Sequence, residues 1–390
     1  MRFLHQFMRN LGLVRTVRRR RAEAQSATES LEKRTLLTAD LNGNTLRVTG
    51  TNAPDDILLT REGGRIRVSE DGQETFSVAA SQVNQIRIFG LAGGDTINTR
   101  DVGIRTIVEG GNGADTIRVG NAFNTVQGGA GDDTIIGFRG RDQLAGGGGD
   151  DYIRGQGSGD ILRGGNGNDT LLGADGFDSI FGGNGNDFIR GADGDDTLLG
   201  EAGNDTIEGV DGDDSIRGGS GGDLISGNSG NDIVRGGTGA DTLMGGDGND
   251  LLQGSGGRDV IGGGNGRDVL TGGDGRDSLM GGDDEDLLIA GTNSLSVNDM
   301  ILVAAEWTSN NDYDQRVANI RDGSGRNNDR SNGDSFLIGR NRNRFTTVFN
   351  DVGTIDLING DGGQDWFFIS EDRGDDDLTD RNGTERRDVI

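Results

Sequence analysis

The chain has 390 residues, 75 of them glycine, with 65 acidic against 38 basic side chains, no cysteine and a formal net charge of −27. Zero cysteine excludes disulfide staples, a thiol nucleophile and Cys-ligated zinc. The sole histidine, His5, sits in the N-terminal leader, so His-based triads and paired-His metal sites are removed from the rest of the chain.

Residues 1–40 read as a basic export or processing leader, with nine basic and four acidic residues and the run Arg18-Arg19-Arg20-Arg21. Its apolar runs are too short for a secretory core segment or a membrane span. Such a cationic cluster could also meet nucleic acid or a membrane surface, but an otherwise acidic chain would repel polyanions. No nucleic-acid partner and no transmembrane segment are expected. Residues 41–109 alternate polar and apolar positions, as in Thr45-Leu46-Arg47-Val48 and Arg65-Ile66-Arg67-Val68, with turn signals at Asn42-Gly43, Gly63-Gly64 and Asp71-Gly72. Gly90 to Asn98 is a degenerate repeat with Asp95 and Ile97 in place. The region is predicted to be a β cap that covers the exposed strand edge of the first repeat turn.

Residues 110–289 repeat a nine-residue unit twenty times without insertion or deletion, with consensus G-G-x-G-x-D-x-U-x, U being aliphatic. Position eight is Ile, Leu or Val from Ile117 to Leu288. Position six is Asp in nineteen units and Asn124 in the other. A three-residue stretch such as Thr170-Leu171-Leu172 is a minimal strand, and its one inward residue is buried only if many strands stack in parallel. The six residues before it read as a glycine turn, since Gly accepts positive φ without steric cost. Between Gly128 and Gly237 the second glycine of the pair appears in alternate units, broken only by Glu201, and Phe138, Gln156, Ala174, Ala192, Val210 and Asn228 take its place in the others. That 18-residue superperiod predicts two strands and two loops per coil. The expected fold is all-β: a right-handed parallel β-roll of nonapeptide repeats, a β-solenoid with a β cap and a partly helical C-terminal cap. A Gly/Asp-rich acidic stretch can also be disordered, but low complexity does not hold an aliphatic residue at every ninth position.

A carboxylate beside inward-facing turn carbonyls suits a hard, oxygen-seeking cation, and Ca²⁺ better than Mg²⁺. The candidate ligands are Asp115, Asp133, Asp142, Asp151, Asp160, Asp169, Asp178, Asp187, Asp196, Asp205, Asp214, Asp223, Asp232, Asp241, Asp250, Asp259, Asp268, Asp277 and Asp286. With 33 acidic and 11 basic residues over 110–289, stacking them without a cation is opposed by like-charge repulsion. Folding is therefore expected to be coupled to multiple Ca²⁺ ions.

Residues 290–390 are expected to cap the other end. Ser296 to Trp307 and Asp312 to Ile320 have helical character, Arg321 to Asp334 reads as a mobile loop, and the nine-residue register returns at Asp356 with Ile358 and Asp365 with Phe367. The two tryptophans, Trp307 and Trp366, are expected to pack within this cap.

The repeat block closely resembles the RTX (repeats-in-toxin) haemolysin-type calcium-binding repeats of secreted bacterial proteins. The resemblance implies Ca²⁺ held between stacked turns by position-six carboxylates and backbone carbonyls, an extracellular or cell-surface location, and no such site at Asn124. It leaves the loops of Ser158 and Asp284, which replace the position-four glycine, less well matched. Leu31-Glu32-Lys33-Arg34-Thr35-Leu36-Leu37 resembles the LExRxLL element of exported planctomycete proteins, with Lys33 where Pro is frequent. Glu306-Trp307-Thr308-Ser309, Arg316-Val317 and Asp365-Trp366-Phe367-Phe368 resemble a tail of repeat proteins from the same bacteria.

The functional expectation is calcium binding by an exported structural or surface protein rather than catalysis. An alternative is an adhesin or polysaccharide-binding module that uses Arg118, Arg154, Arg163, Arg190, Arg217, Arg235, Arg258, Arg267 and Arg276 as a stripe for anionic glycans. A hydrolase built from tail carboxylates is a third, though in a chain with 65 acidic residues such pairs arise by chance.

Overall fold

A computed structural model describes residues 37–284 and 286–289 and the backbone of strands 357–360, 366–368 and 377–380. The chain divides into two compact units, residues 1–38 and 39–390, and the second carries the solenoid. The expected helices and loop over 296–334 lie outside the described residues, as do the leader over 1–36 and Asp356 and Asp365.

Eight strands lead into the repeats: β1 (Thr38–Asn42), β2 (Thr45–Thr49), β3 (Asp56–Glu62), β4 (Arg65–Glu70), β5 (Gln73–Ala79), β6 (Gln85–Ala92), β7 (Thr96–Asn98) and β8 (Thr106–Asn112). Twenty more, β9 (Thr116–Arg118) to β28 (Leu287–Ile289), succeed them at nine-residue intervals. Three others, β29 (Leu357–Gly360), β30 (Trp366–Phe368) and β31 (Asp377–Asp380), come after the repeats. Even-numbered repeat strands build a 15-stranded sheet that starts β1-β2-β6-β8, and odd-numbered ones a 16-stranded sheet that starts β5-β4-β3-β7. The fold is an all-β parallel β-solenoid. Among the described residues its one helical element is a 3₁₀ turn at Ala80–Gln82.

Pairing between repeats is parallel and steps by 18 residues, so Leu144 lies beside Leu162 in one sheet and Ile153 beside Leu171 in the other. The alternation of the second glycine carries that superperiod, because each alternating set is one column of stacked positions. At the C-terminal end the same register is resumed, Leu279 with Ile358 and Leu288 with Phe367.

The repeat strands are longer than the three residues expected. Most run six, over positions seven to nine and then one to three of the next unit, as in Thr170–Asp175. Only positions four to six turn. The glycine pair therefore lies inside the strand, where position one is left out of the pairing: Gln127 pairs with Ala145, then Gly129 with Gly147.

The core is the position-eight ladder. All twenty of these residues, from Ile117 to Leu288, are 0–2% exposed. Each contributes roughly 1.5–3 kcal/mol by burial. Leu46, Val48, Ile86 and Ile88 extend it toward the N-terminus in one sheet, and Ile57, Leu59, Ile66 and Val68 in the other. The second sheet's N-terminal edge is closed by an antiparallel meander, β3 to β4 to β5. The degenerate repeat joins the stack as its sequence suggests, with Ile97 in register with Ile117 and fully buried.

Candidate metal site

Position six is the last residue of the turn, two before the buried position-eight residue, and its side chain turns inward with the aliphatic ladder. All nineteen repeat aspartates are 0–3% exposed. They form two columns with an 18-residue step. In one, Asp115 is succeeded by Asp133, Asp151 and Asp169; in the other, Asn124 is succeeded by Asp142, Asp160 and Asp178.

Within a column one carboxylate oxygen is committed. The Asp115 N–H donates to Asp133 Oδ1 at 2.8 Å, the Asp151 N–H to Asp169 Oδ1 at 2.8 Å, and so on to the Asp268 N–H and Asp286 Oδ1 at 2.9 Å. The second oxygen is not committed. Oδ2 of Asp95 and of the seventeen repeat aspartates from Asp115 to Asp268 is buried and makes no hydrogen bond. A buried polar atom without a partner costs free energy, and a charged one costs more.

Titration behaviour stems from that burial. Desolvation lifts the carboxyls well above the ordinary range, against the opposing N–H bond from the preceding turn and with a further push from neighbouring aspartates. Asp133 and Asp205 are raised to about 6, Asp151 and Asp187 to about 7, and Asp160 and Asp250 to about 8.

The position-one glycine is kept by this carboxylate and not, as expected, by turn conformation. Its φ is not left-handed; positions two and four carry the positive φ values, such as +127° at Gly129 and +120° at Gly131. A Cβ at Gly128 would lie within 3 Å of both Asp133 Oδ2 and the Gly146 carbonyl. At Gly164 it would meet Asp169 Oδ2 and the Gly182 carbonyl. Two oxygens thus crowd each bare Cα from two turns. Oxygens with no proton between them are what a hard divalent cation takes as ligands. No three acidic or histidine side chains converge among the described residues, so a cation would take carboxylates from the column and complete its shell with backbone carbonyls. The residues present fit Ca²⁺.

The turn backbone needs no cation to satisfy its own donors. The position-four N–H reaches the position-three carbonyl of the next turn (Gly149 to Asn166, 2.9 Å), and the position-seven N–H the position-six carbonyl of the previous one (Thr170 to Asp151, 2.8 Å). Position five supplies a second side-chain ladder that sequence reasoning misses. The Asp150 N–H donates to Asp132 Oδ1 at 2.9 Å and the Asn168 N–H to Asp150 Oδ1 at 2.7 Å. It runs opposite to the position-six ladder and is confined to the turns where Asp or Asn stacks at position five, from Asp132 to Gly222 in one column and from Asp195 to Arg267 in the other. The signal is the Asp or Asn that often stands before the position-six Asp, which reads as solubility until the register is known.

The nine arginines do not form one stripe. Arg118, Arg154 and Arg190 share a rank of one sheet with Ile136 and Leu172 between them. Arg163, Arg217 and Arg235 belong to the other sheet, and Arg258, Arg267 and Arg276 stand in turns. An 18-residue coil sends arginines an odd number of units apart to different sheets, which the linear spacing hides.

The RTX calcium-binding nonapeptide repeat (4 copies) family matches residues 109–144, 136–171, 172–207, 208–243, 235–270 and 262–293. No curated protein matches the chain.

Proposed function

Because residues 109–293 carry RTX calcium-binding nonapeptide repeats, which bind multiple calcium ions, we infer that the chain is an exported, calcium-stapled roll acting as a structural or cell-surface protein. Calcium binding is its biochemical activity, and it is not an enzyme. The ligands are the nineteen position-six aspartates together with backbone carbonyls of the turns. The observation that carries this reading is the column of buried Oδ2 atoms, unpartnered from Asp115 to Asp268. Divalent ions supply the positive charge that 33 acidic against 11 basic residues over 110–289 require. An ion that binds only the stacked turns adds its binding free energy to folding. Export agrees with the absence of cysteine, since metal does the stapling that disulfides do in other extracellular domains.

The test is a calcium titration of the full chain, monitored by far-ultraviolet circular dichroism with calorimetric ion counting. The expected outcome is a cooperative gain of β-structure with many ions bound per chain. A chain fully β-structured in excess chelator that binds few or no ions would remove the reading.

A further inference from the structure

Unit 119–127 departs from the repeat at three positions together: Val119 at position one, Ala122 at position four and Asn124 at position six. Taken singly these look like drift. Together they rebuild one turn. Asn124 is fully buried, and its Oδ1 accepts from the Thr106 N–H at 3.1 Å, the role that Oδ1 plays in every described column. The second atom differs. Nδ2 donates to the Gly120 carbonyl at 2.8 Å, the Ala122 carbonyl at 2.8 Å and Asp142 Oδ1 at 3.0 Å. Where the aspartates present an unpartnered anionic oxygen, this residue presents a donor amide to two carbonyls of its own turn and a carboxylate of the next.

The other two departures belong to the same construction. Position-one glycines elsewhere leave no room for a Cβ beside the carboxylate oxygen, within 3 Å at Gly128 and Gly146 alike. Here that oxygen is replaced and a fully buried valine side chain stands at position one. Most position-four glycines are left-handed, +120° at Gly113 and Gly131. Ala122 is not, and its N–H closes the turn locally on the Gly120 carbonyl at 2.8 Å; Gly140 in the facing turn of the same column is built likewise, its N–H reaching the Phe138 carbonyl at 3.2 Å. The other column also ends N-terminally in a group satisfied by protein donors. Asp55 Oδ2 accepts from the Thr51 N–H at 2.6 Å, Oδ1 accepts from Thr51 Oγ1 at 3.1 Å, and Asp55 is absent from the unpartnered carboxylates.

We propose that the Asn124 amide is a built-in substitute for one calcium ion, closing the 119–124 turn onto the 137–142 turn without metal. The N-terminal end of that column is then assembled from protein donors alone, and its dependence on metal begins with Asp142. The inference rests on calcium binding at the aspartate turns and adds which turn does without it.

The test restores the repeat at its three departures, Val119→Gly, Ala122→Gly and Asn124→Asp in one full-length variant, and counts bound Ca²⁺ by native mass spectrometry against the wild type. The expected result is one additional ion per chain. An unchanged count overturns the proposal, whereas a wild type that binds no Ca²⁺ overturns the calcium reading itself. Hydrogen exchange on the wild type in excess chelator is independent of whether the variant folds. The Thr106 and Val119 amides should keep their protection while the Asp160 and Asp178 amides lose theirs. Loss at all four together would show that the Asn124 turn needs metal as the others do, and the proposal would fail.

Discussion

A glycine can be kept for the space its missing Cβ leaves or for the backbone angle it tolerates, and the repeat separates the two uses by position. Position one is the first case; position two is the second. In the column of Gly147 and Gly165 position two sits at φ +127° and +122°, and a Cβ on Gly165 would run into the Gly147 carbonyl. Glu201 and Ser255 stand in the same column with φ pulled back to +75° and +84°, which shows how a side chain is accommodated. Gly165→Ala should therefore cost about 1–3 kcal/mol, the range for a non-glycine residue in a sparsely populated backbone region. In the other column Val210 holds φ +104°, an unfavourable angle for a β-branched residue. Val210→Gly should stabilise by about 1 kcal/mol, the strain released less the entropy that glycine loses on ordering. Urea midpoints measured in saturating Ca²⁺ check both, and two shifts of the same sign would contradict the assignment. The sequence shows where glycine alternates with other residues. It cannot show that two positions of one motif are constrained for different reasons, because crowding between turns exists only once the coil is closed.

At the level of the strand, the position-eight ladder and the 18-residue step are both legible in the sequence, since aliphatic periodicity and the glycine alternation record burial and stacking directly. Strand length is not. A glycine pair reads as turn chemistry, and only a parallel neighbour shows that positions two and three still exchange hydrogen bonds. The ladder makes a sharp contrast within one strand. Leu171 is fully buried between Ile153 and Ile189 of the adjoining strands, whereas Leu172 on the opposite face is half-buried. Leu171→Ala should cost about 3 kcal/mol, within the range for a buried leucine truncated in a core that cannot collapse around it. Leu172→Ala should cost under about 1 kcal/mol. Equal losses in chemical denaturation at fixed Ca²⁺ would mean that the inward face is not the one carrying stability. The candidate site is half legible in the same sense. Position six marks the carboxylates, but the partner of Oδ1 comes from a residue eighteen positions earlier, and the acceptors of the Asn124 amide lie in its own turn and the next.

For the whole roll, the columns make stability depend on proton and metal in opposite senses. The carboxyls lie above the ordinary aspartate value of 3.8, reaching about 6 at Asp133, about 7 at Asp151 and about 8 at Asp160, with burial the leading cause. A group whose folded pKa is raised binds its proton more tightly in the folded state, so its contribution is fully present below the unfolded value and is lost as pH rises through the folded one. In excess chelator the roll should therefore be most stable near pH 4 and lose stability progressively from about pH 4 to about pH 8. Calcium reverses the preference. It takes the deprotonated carboxylates, so its affinity falls as protons compete, and at pH 8 it replaces the stabilisation that protons give at pH 5. Circular dichroism of the full chain in chelator should show more β-structure at pH 5 than at pH 8, and added Ca²⁺ should close the gap from the alkaline side. More β-structure at pH 8 than at pH 5 without metal would mean that the buried oxygens are compensated elsewhere in the fold, and that calcium is not what the columns are built around.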